Sequence, residues 1–138
     1  MEPPNYVRSQ DRLESQAASD AGEISLEPFL GTWLNTNSAT RGIVRIIITA
    51  RDGGLVVRAF GNCHPSPCDW GETEAEAVYA NSIASREGVA FTASYDFGFL
   101  KTRLQANVNQ GLLVAVTFNR FEDESGRGDY FSREFFHR

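Results

Sequence analysis

The chain has 138 residues, a formal net charge of −5 and a hydrophobic share of 41%. That length suits one domain with a single core, and no apolar run approaches membrane-spanning length. A membrane is therefore not an expected partner, and neither is nucleic acid, because phosphate binding needs a positive surface and the net charge is negative.

Residues 1–27 are polar and carry no periodic apolar face. Tyr6 to Ala18 could form a short helix, with Arg8 and Arg12, and Gln10 and Glu14, four apart, but such pairs stabilise a helix weakly. This extension reads either as a disordered tail or as a lid over a barrel mouth. Met1-Glu2-Pro3-Pro4-Asn5 lacks the basic-then-apolar pattern of a secretory signal, which makes the cytoplasm the expected compartment.

The folded domain is expected over residues 28–138. Phe29 to Asn35 reads as a first strand. Ile43 to Ala50, β-branched and aliphatic, is a second, and Arg51-Asp52-Gly53-Gly54 turns the chain tightly into a third, Leu55 to Phe60. A breaker-rich stretch from Gly61 to Gly71 follows, holding both cysteines, one of two histidines and one of two tryptophans. Glu72, Glu74 and Glu76 then alternate with small residues up to Tyr79. This is a fourth strand with one acidic, solvent-facing side, although the Ala and Glu content also permits a helix. Val89 to Tyr95, Phe99 to Val108, Leu112 to Phe121 and Asp129 to Arg138 complete eight strands.

Eight consecutive strands with short connections point to an all-β, antiparallel up-and-down barrel with room for one small ligand; a two-sheet sandwich is the alternative. If the strands alternate in direction, the tight turns gather at one end. The richer loops, residues 36–42, the Cys63–Trp70 stretch, 96–98 and 122–128, gather at the other, where a scaffold carries function.

Gly31-Thr32-Trp33 at the head of the first strand resembles the Gly-x-Trp signature of the calycin superfamily: lipocalins, fatty-acid-binding proteins and avidins. The resemblance implies that Trp33 packs at the closed barrel end beneath a basic residue of the last strand, Arg138 or Arg133, as a structural pair. Gly31 to Asn35 is also similar to the start of an avidin, which implies a ligand contact for Asn35. No subfamily of known function shares the Cys-His-Pro-x-x-Cys-Asp-Trp-Gly stretch, and the other tryptophans of an avidin site are missing.

The central stretch supplies candidate ligand contacts at the mouth: Cys63, His64, Asp69 and above all Trp70, whose ring can close over an apolar ligand or pack onto the barrel. Cys63 and Cys68 read as free thiols, as a disulfide pinning the loop, or with His64 and Asp69 as a metal set whose spacing matches no zinc module. No metal or other cofactor is expected. A Cys63–His64 nucleophile is disfavoured because sequence neighbours seldom reach the required geometry. Asp69 is also placed to accept backbone N–H groups beside Trp70.

In the last strand Tyr130, Ser132, Glu134 and Phe136 share one face and Phe131, Arg133 and Phe135 the other. Both are apolar enough that period two does not choose the inner one. With Tyr130 and Glu134 inward, a carboxylate enters the cavity as a candidate general acid or base with an upward-shifted pKa; pairing with Arg103 or Arg58 is the alternative. Tyr79 and Tyr95 are further candidate lumen donors. The first expectation is a protein that binds a small apolar or amphipathic molecule, gated by the Gly61–Gly71 stretch. A cofactor-independent cyclase or isomerase using Glu134 and Tyr130 in the same cavity is the second, and a module with a fully packed lumen the third. A homodimer fits each of them.

Overall fold

The computed structural model of the chain describes residues 24–138, so of the tail or lid expected over residues 1–27 only the last four are described; there Ser25 bridges to Glu87 and Glu27 opens a short 3-10 helix. Nine antiparallel strands form one curled, half-barrel sheet. They are β1 (Gly31–Asn35), β2 (Ile43–Arg51), β3 (Gly54–Gly61), β4 (Cys68–Glu74), β5 (Ala77–Ala80), β6 (Gly88–Asp96), β7 (Leu100–Asn109), β8 (Leu112–Phe121) and β9 (Tyr130–His137). Their order across the sheet is β4-β3-β2-β1-β9-β8-β7-β6-β5. No helix among the described residues is long and apolar enough to cross a membrane.

Local chemistry sets the turns. Asp52 and Gly53 join β2 to β3, and Gln110 and Gly111 join β7 to β8, each pair with both residues at positive φ. That is the two-residue hairpin turn whose twist matches flanking strands. These turns lie at the lower end of the sheet with Arg138. The upper end collects residues 36–42, 62–67, 97–99 and 122–129.

The concave face holds the core. Trp33, Ile46, Ile48, Leu55, Val57, Phe91, Leu104, Leu113 and Phe136 are almost wholly buried there, each large side chain contributing about 1.5–3 kcal/mol by leaving water. Phe29, from a short 3-10 helix at Glu27–Phe29, meets Phe91 edge-to-face. The Arg138 guanidinium carbon sits 4.3 Å from the centre of the Trp33 ring, so Arg138, and not Arg133, covers that ring. Arg133 lies over Phe135 instead. Trp33 Nε1 donates to Phe29 O at 2.8 Å and Arg138 Nη1 to Leu30 O at 2.8 Å.

The expected fourth strand is two strands, and they lie on opposite edges of the sheet. The chain passes between them without a loop. Ala75 N–H donates to Leu55 O on β3 at 3.0 Å, and the next residue, Glu76, donates to Thr92 O on β6 at 2.7 Å. Thr73 Oγ1 donates to Ser94 O across the same gap. The acidic alternation reflects a solvent-facing side, as Glu72, Glu74 and Glu76 are all exposed.

Candidate functional site

Strand parity makes the upper part of the concave face polar. On β7, β8 and β9 the residues in phase with buried Leu104, Leu113, Ala115 and Phe136 change toward the upper end to Thr102, Thr117, Asn119, Ser132 and Glu134. Register places them side by side: Thr102 opposite Asn119, Thr117 opposite Ser132, Ala115 opposite Glu134. Thr102 Oγ1 donates to Asn119 Oδ1 at 2.7 Å, and Asn119 Nδ2 donates to Thr117 Oγ1 at 2.8 Å. Thr117 and Ser132 share a further hydrogen bond. The chain is satisfied when Thr117 donates to Ser132, which leaves the Ser132 hydrogen for another acceptor.

Glu134 is the acid of this face. Asn35 Nδ2 donates to Glu134 Oε2 at 2.7 Å, and Thr40 Oγ1 donates to the same oxygen. Oε1 lies against Gly42, close enough that a Cβ there would approach it to 2.6 Å. A side chain at position 42 would therefore push the carboxylate end of Glu134 aside where the 36–42 loop passes it. Oε1 accepts no hydrogen bond, and no Lys, Arg or His reaches Glu134 within ion-pair distance, among the described residues. The arginines expected as partners are used elsewhere: Arg103 faces Glu76 at 3.6 Å, and Arg58 pairs with Asp69, both outside the concave face.

These residues enclose a cavity of about 360 Å³, lined by Thr117, Asn119, Tyr130, Ser132 and Glu134 on one side and by Arg41, Gly42, Ile43 and Trp70 on the other. Three of the sequence-derived candidates, Glu134, Tyr130 and Trp70, therefore meet in one space. Trp70 belongs to β4 and not to a loop. Its ring packs edge-to-face on Tyr95 at 5.5 Å and on Phe97 at 5.4 Å, which makes it a fixed wall.

The other candidates take different places. Asn35 does not line the cavity. Its amide also donates to Ile43 O at 2.9 Å and its carbonyl accepts from Asn37 N at 2.8 Å, so it ties the 36–42 loop to Glu134. Tyr95 faces inward, but its hydroxyl is spent on backbone: it accepts from Ala59 N at 3.0 Å and reaches Gly71 O at 2.8 Å. It thereby fills the register shift between β3 and β4, and burial pushes its pKa up. Tyr79 is exposed on β5, on the opposite side from core-packed Val78. Asp69 is on the outer side; the Arg58 guanidinium, helped by the Gly71 N–H, holds its carboxyl down at about 2.

Cys63 and Cys68 form a disulfide with Cα atoms 5.4 Å apart, so neither thiol is free and neither can ligate a metal. The bridge closes residues 62–67 at the point where Gly61 pairs with Cys68; exposed His64 stands on this loop away from the cavity. No group of three or more His, Cys, Asp or Glu among the described residues is placed to hold a metal ion.

A broader groove of about 800 Å³ crosses β6–β9 near the upper end, bordered by Phe118 and Phe131. Lys101 lies 3.8 Å from Glu122 and Arg120 3.9 Å from Asp129 along it, so its charges already face one another in solvent. Sequence reasoning missed Thr40, Gly42, Thr117, Asn119 and Ser132. The readable signal was the change from apolar to polar residues in one phase of three adjacent strands. Comparison with known protein families, with curated proteins and with solved structures finds no match for this chain.

Proposed function

We propose that this protein binds a small amphipathic molecule in the cavity between Glu134 and Trp70. The observation that carries the reading is the Glu134 oxygen that accepts no hydrogen bond from the described residues, in a cavity that also has an indole wall. A volume of about 360 Å³ lies at the lower end of the range for small-molecule sites, roughly 300–1,000 Å³. Below it the concave face is filled by large side chains such as Phe91, Leu104 and Phe136. A long lipid chain therefore has no space among them, and the ligand reading narrows from apolar to amphipathic. The 62–67 loop, bridged and clear of the cavity wall, acts as a brace at the rim in this reading.

The calycin-like barrel belongs to the same proposal. Joining β4 and β5 into one bent strand reduces nine strands to eight and brings the two sheet edges together. The adjacent bonds of Ala75 and Glu76 to β3 and β6 support that closure, as does the Arg138–Trp33 pair at the lower end. Closure gives the cavity its second wall, because Trp70 on β4 then faces Glu134 on β9. The Cys63–Cys68 bridge favours an oxidising compartment over the expected cytoplasm; trapping free thiols in intact cells with an alkylating reagent distinguishes the two.

The two tryptophans make the reading testable. Trp33 is fully buried beneath Arg138, whereas Trp70 lines the cavity. A ligand in this cavity changes tryptophan emission saturably in the wild type and leaves emission unchanged in Trp70→Phe. Equal changes in both proteins would place the ligand elsewhere. An enzymatic reading, a cyclase or isomerase, rests on Glu134 being the one carboxylate on the cavity wall among the described residues. It requires Glu134→Gln to abolish turnover of a bound substrate while leaving its affinity nearly intact.

A further inference from the structure

We infer that the ligand class of this cavity is a small organic cation, an amine with a compact apolar body. The inference rests on the binding proposal and adds the charge of the ligand. Glu134 is the only acidic residue on the wall among the described residues. Asn35 and Thr40 both donate to Oε2, which fixes the carboxylate and leaves Oε1 without a donor among the described residues. Among the described residues Arg41 is the one basic residue of the wall; it is exposed at the rim and forms no ion pair with Glu134.

An ammonium group in this cavity can donate to Oε1, the carboxylate oxygen that no described donor reaches, and a hydrogen bond between two charged groups is stronger than one between neutral groups. The remaining wall suits the rest of such a ligand. The Trp70 and Tyr130 side chains supply aromatic wall, the residue type that attracts a cation through its ring, Ile43 offers apolar contact, and the Ser132 oxygen is a second acceptor for an ammonium hydrogen. An anion meets the opposite conditions, with Glu134 repelling it inside the cavity and only solvated Arg41 attracting it at the rim.

Three probes of nearly equal shape separate charge from shape: 2-phenylethylamine, 2-phenylethanol and phenylacetate, titrated calorimetrically into the full chain at neutral pH. The amine is expected to bind saturably and at least about tenfold more tightly than the alcohol, with no binding of phenylacetate. That ratio is on the order of what a charge-assisted hydrogen bond adds over a neutral one. Glu134→Gln is expected to erase the amine preference. Gly42→Ala, whose Cβ displaces Oε1 without changing the charge, is expected to weaken the amine several-fold and the alcohol little. Thermal unfolding of both variants verifies that they fold. If the alcohol or phenylacetate binds as tightly as the amine, the cation assignment is wrong and the cavity proposal stands. If none of the three binds, both readings are overturned.

Discussion

The Asn35 amide and the Glu134 carboxylate meet at 2.7 Å although 99 positions separate them in sequence. One comes from the first strand and one from the last, so the contact spans the seam where β1 pairs with β9, a seam of two residue pairs. The same amide group also holds Ile43 O. A single side chain thus ties the seam, the 36–42 loop and the acid of the cavity together.

Asn35→Ala should therefore destabilise the fold by about 1–3 kcal/mol, because a polar partner is removed and Glu134 Oε2 keeps only Thr40. Asn35→Asp should cost more, since it sets a second carboxylate against the first. Chemical denaturation of the three proteins measures this. An Asn35→Ala variant as stable as the wild type would show that the seam is held by other contacts.

Arg138 covers Trp33 as a cation over a ring and anchors Leu30 O. Arg138→Ala should lower stability by roughly 0.5–2 kcal/mol and shift Trp33 emission to the red as water reaches the indole. Arg138→Lys keeps the charge but loses the planar fork, so it should recover only part of the loss. Emission of Arg138→Ala identical to that of the wild type would remove the ring from the account of the lower end.

The Arg58–Asp69 pair predicts an acid dependence. Asp69 has a folded pKa of about 2 against an ordinary 3.8. A group whose folded pKa is depressed stabilises the fold above its unfolded pKa and loses that contribution as pH falls toward the folded value. Stability should therefore decline between about pH 4 and pH 2, and Asp69→Asn should flatten part of the decline. Glu72 and Asp123 are lowered too, by Arg51 and chiefly by Ser125 respectively, so part remains. Both side chains of the Arg58–Asp69 pair are substantially exposed, and added salt should shrink the effect. Unfolding curves at stepped pH with no difference between wild type and Asp69→Asn would refute the pairing.

The Cys63–Cys68 bridge closes a loop with a sequence separation of 5. Chain-entropy arguments assign such a loop about 2 kcal/mol. Reduction should add the mass of two hydrogens by native mass spectrometry and lower the unfolding temperature by several degrees. The fold itself should survive, because Gly61 and Cys68 also pair through backbone. Global unfolding on reduction would contradict this, and so would an unchanged mass.

Much of the scaffold was legible because its signals are local. The β-branched run from Ile43 and the Asp52-Gly53 and Gln110-Gly111 turns fix strands and hairpins without reference to anything distant. The division of the fourth strand was not legible, since the transfer of Ala75 and Glu76 between opposite edges depends on strands far away in sequence. The strand placement of Trp70, though not its candidacy, was hidden for a related reason: prolines and glycines made its surroundings read as loop, while β3 recruits residues from Cys68 onward into the sheet. The inner face of β9 could not be chosen from β9 alone, because Phe131 and Phe135 are as apolar as Phe136. Cross-strand pairing with Thr117 and Ala115 on β8 decides it, and that brings Ser132 and Glu134 inward.

The most direct test of the cavity is a titration of 15N-labelled protein with 2-phenylethylamine followed by two-dimensional NMR. The account predicts saturable shifts of the Trp70 indole N–H, of the Asn35 and Asn119 side-chain amides and of the Gly42 amide, with Gly53 and Gly111 at the lower turns unmoved. Shifts confined to Lys101 and Arg103 on the outer groove, with the Trp70 and Asn119 signals fixed, would contradict it.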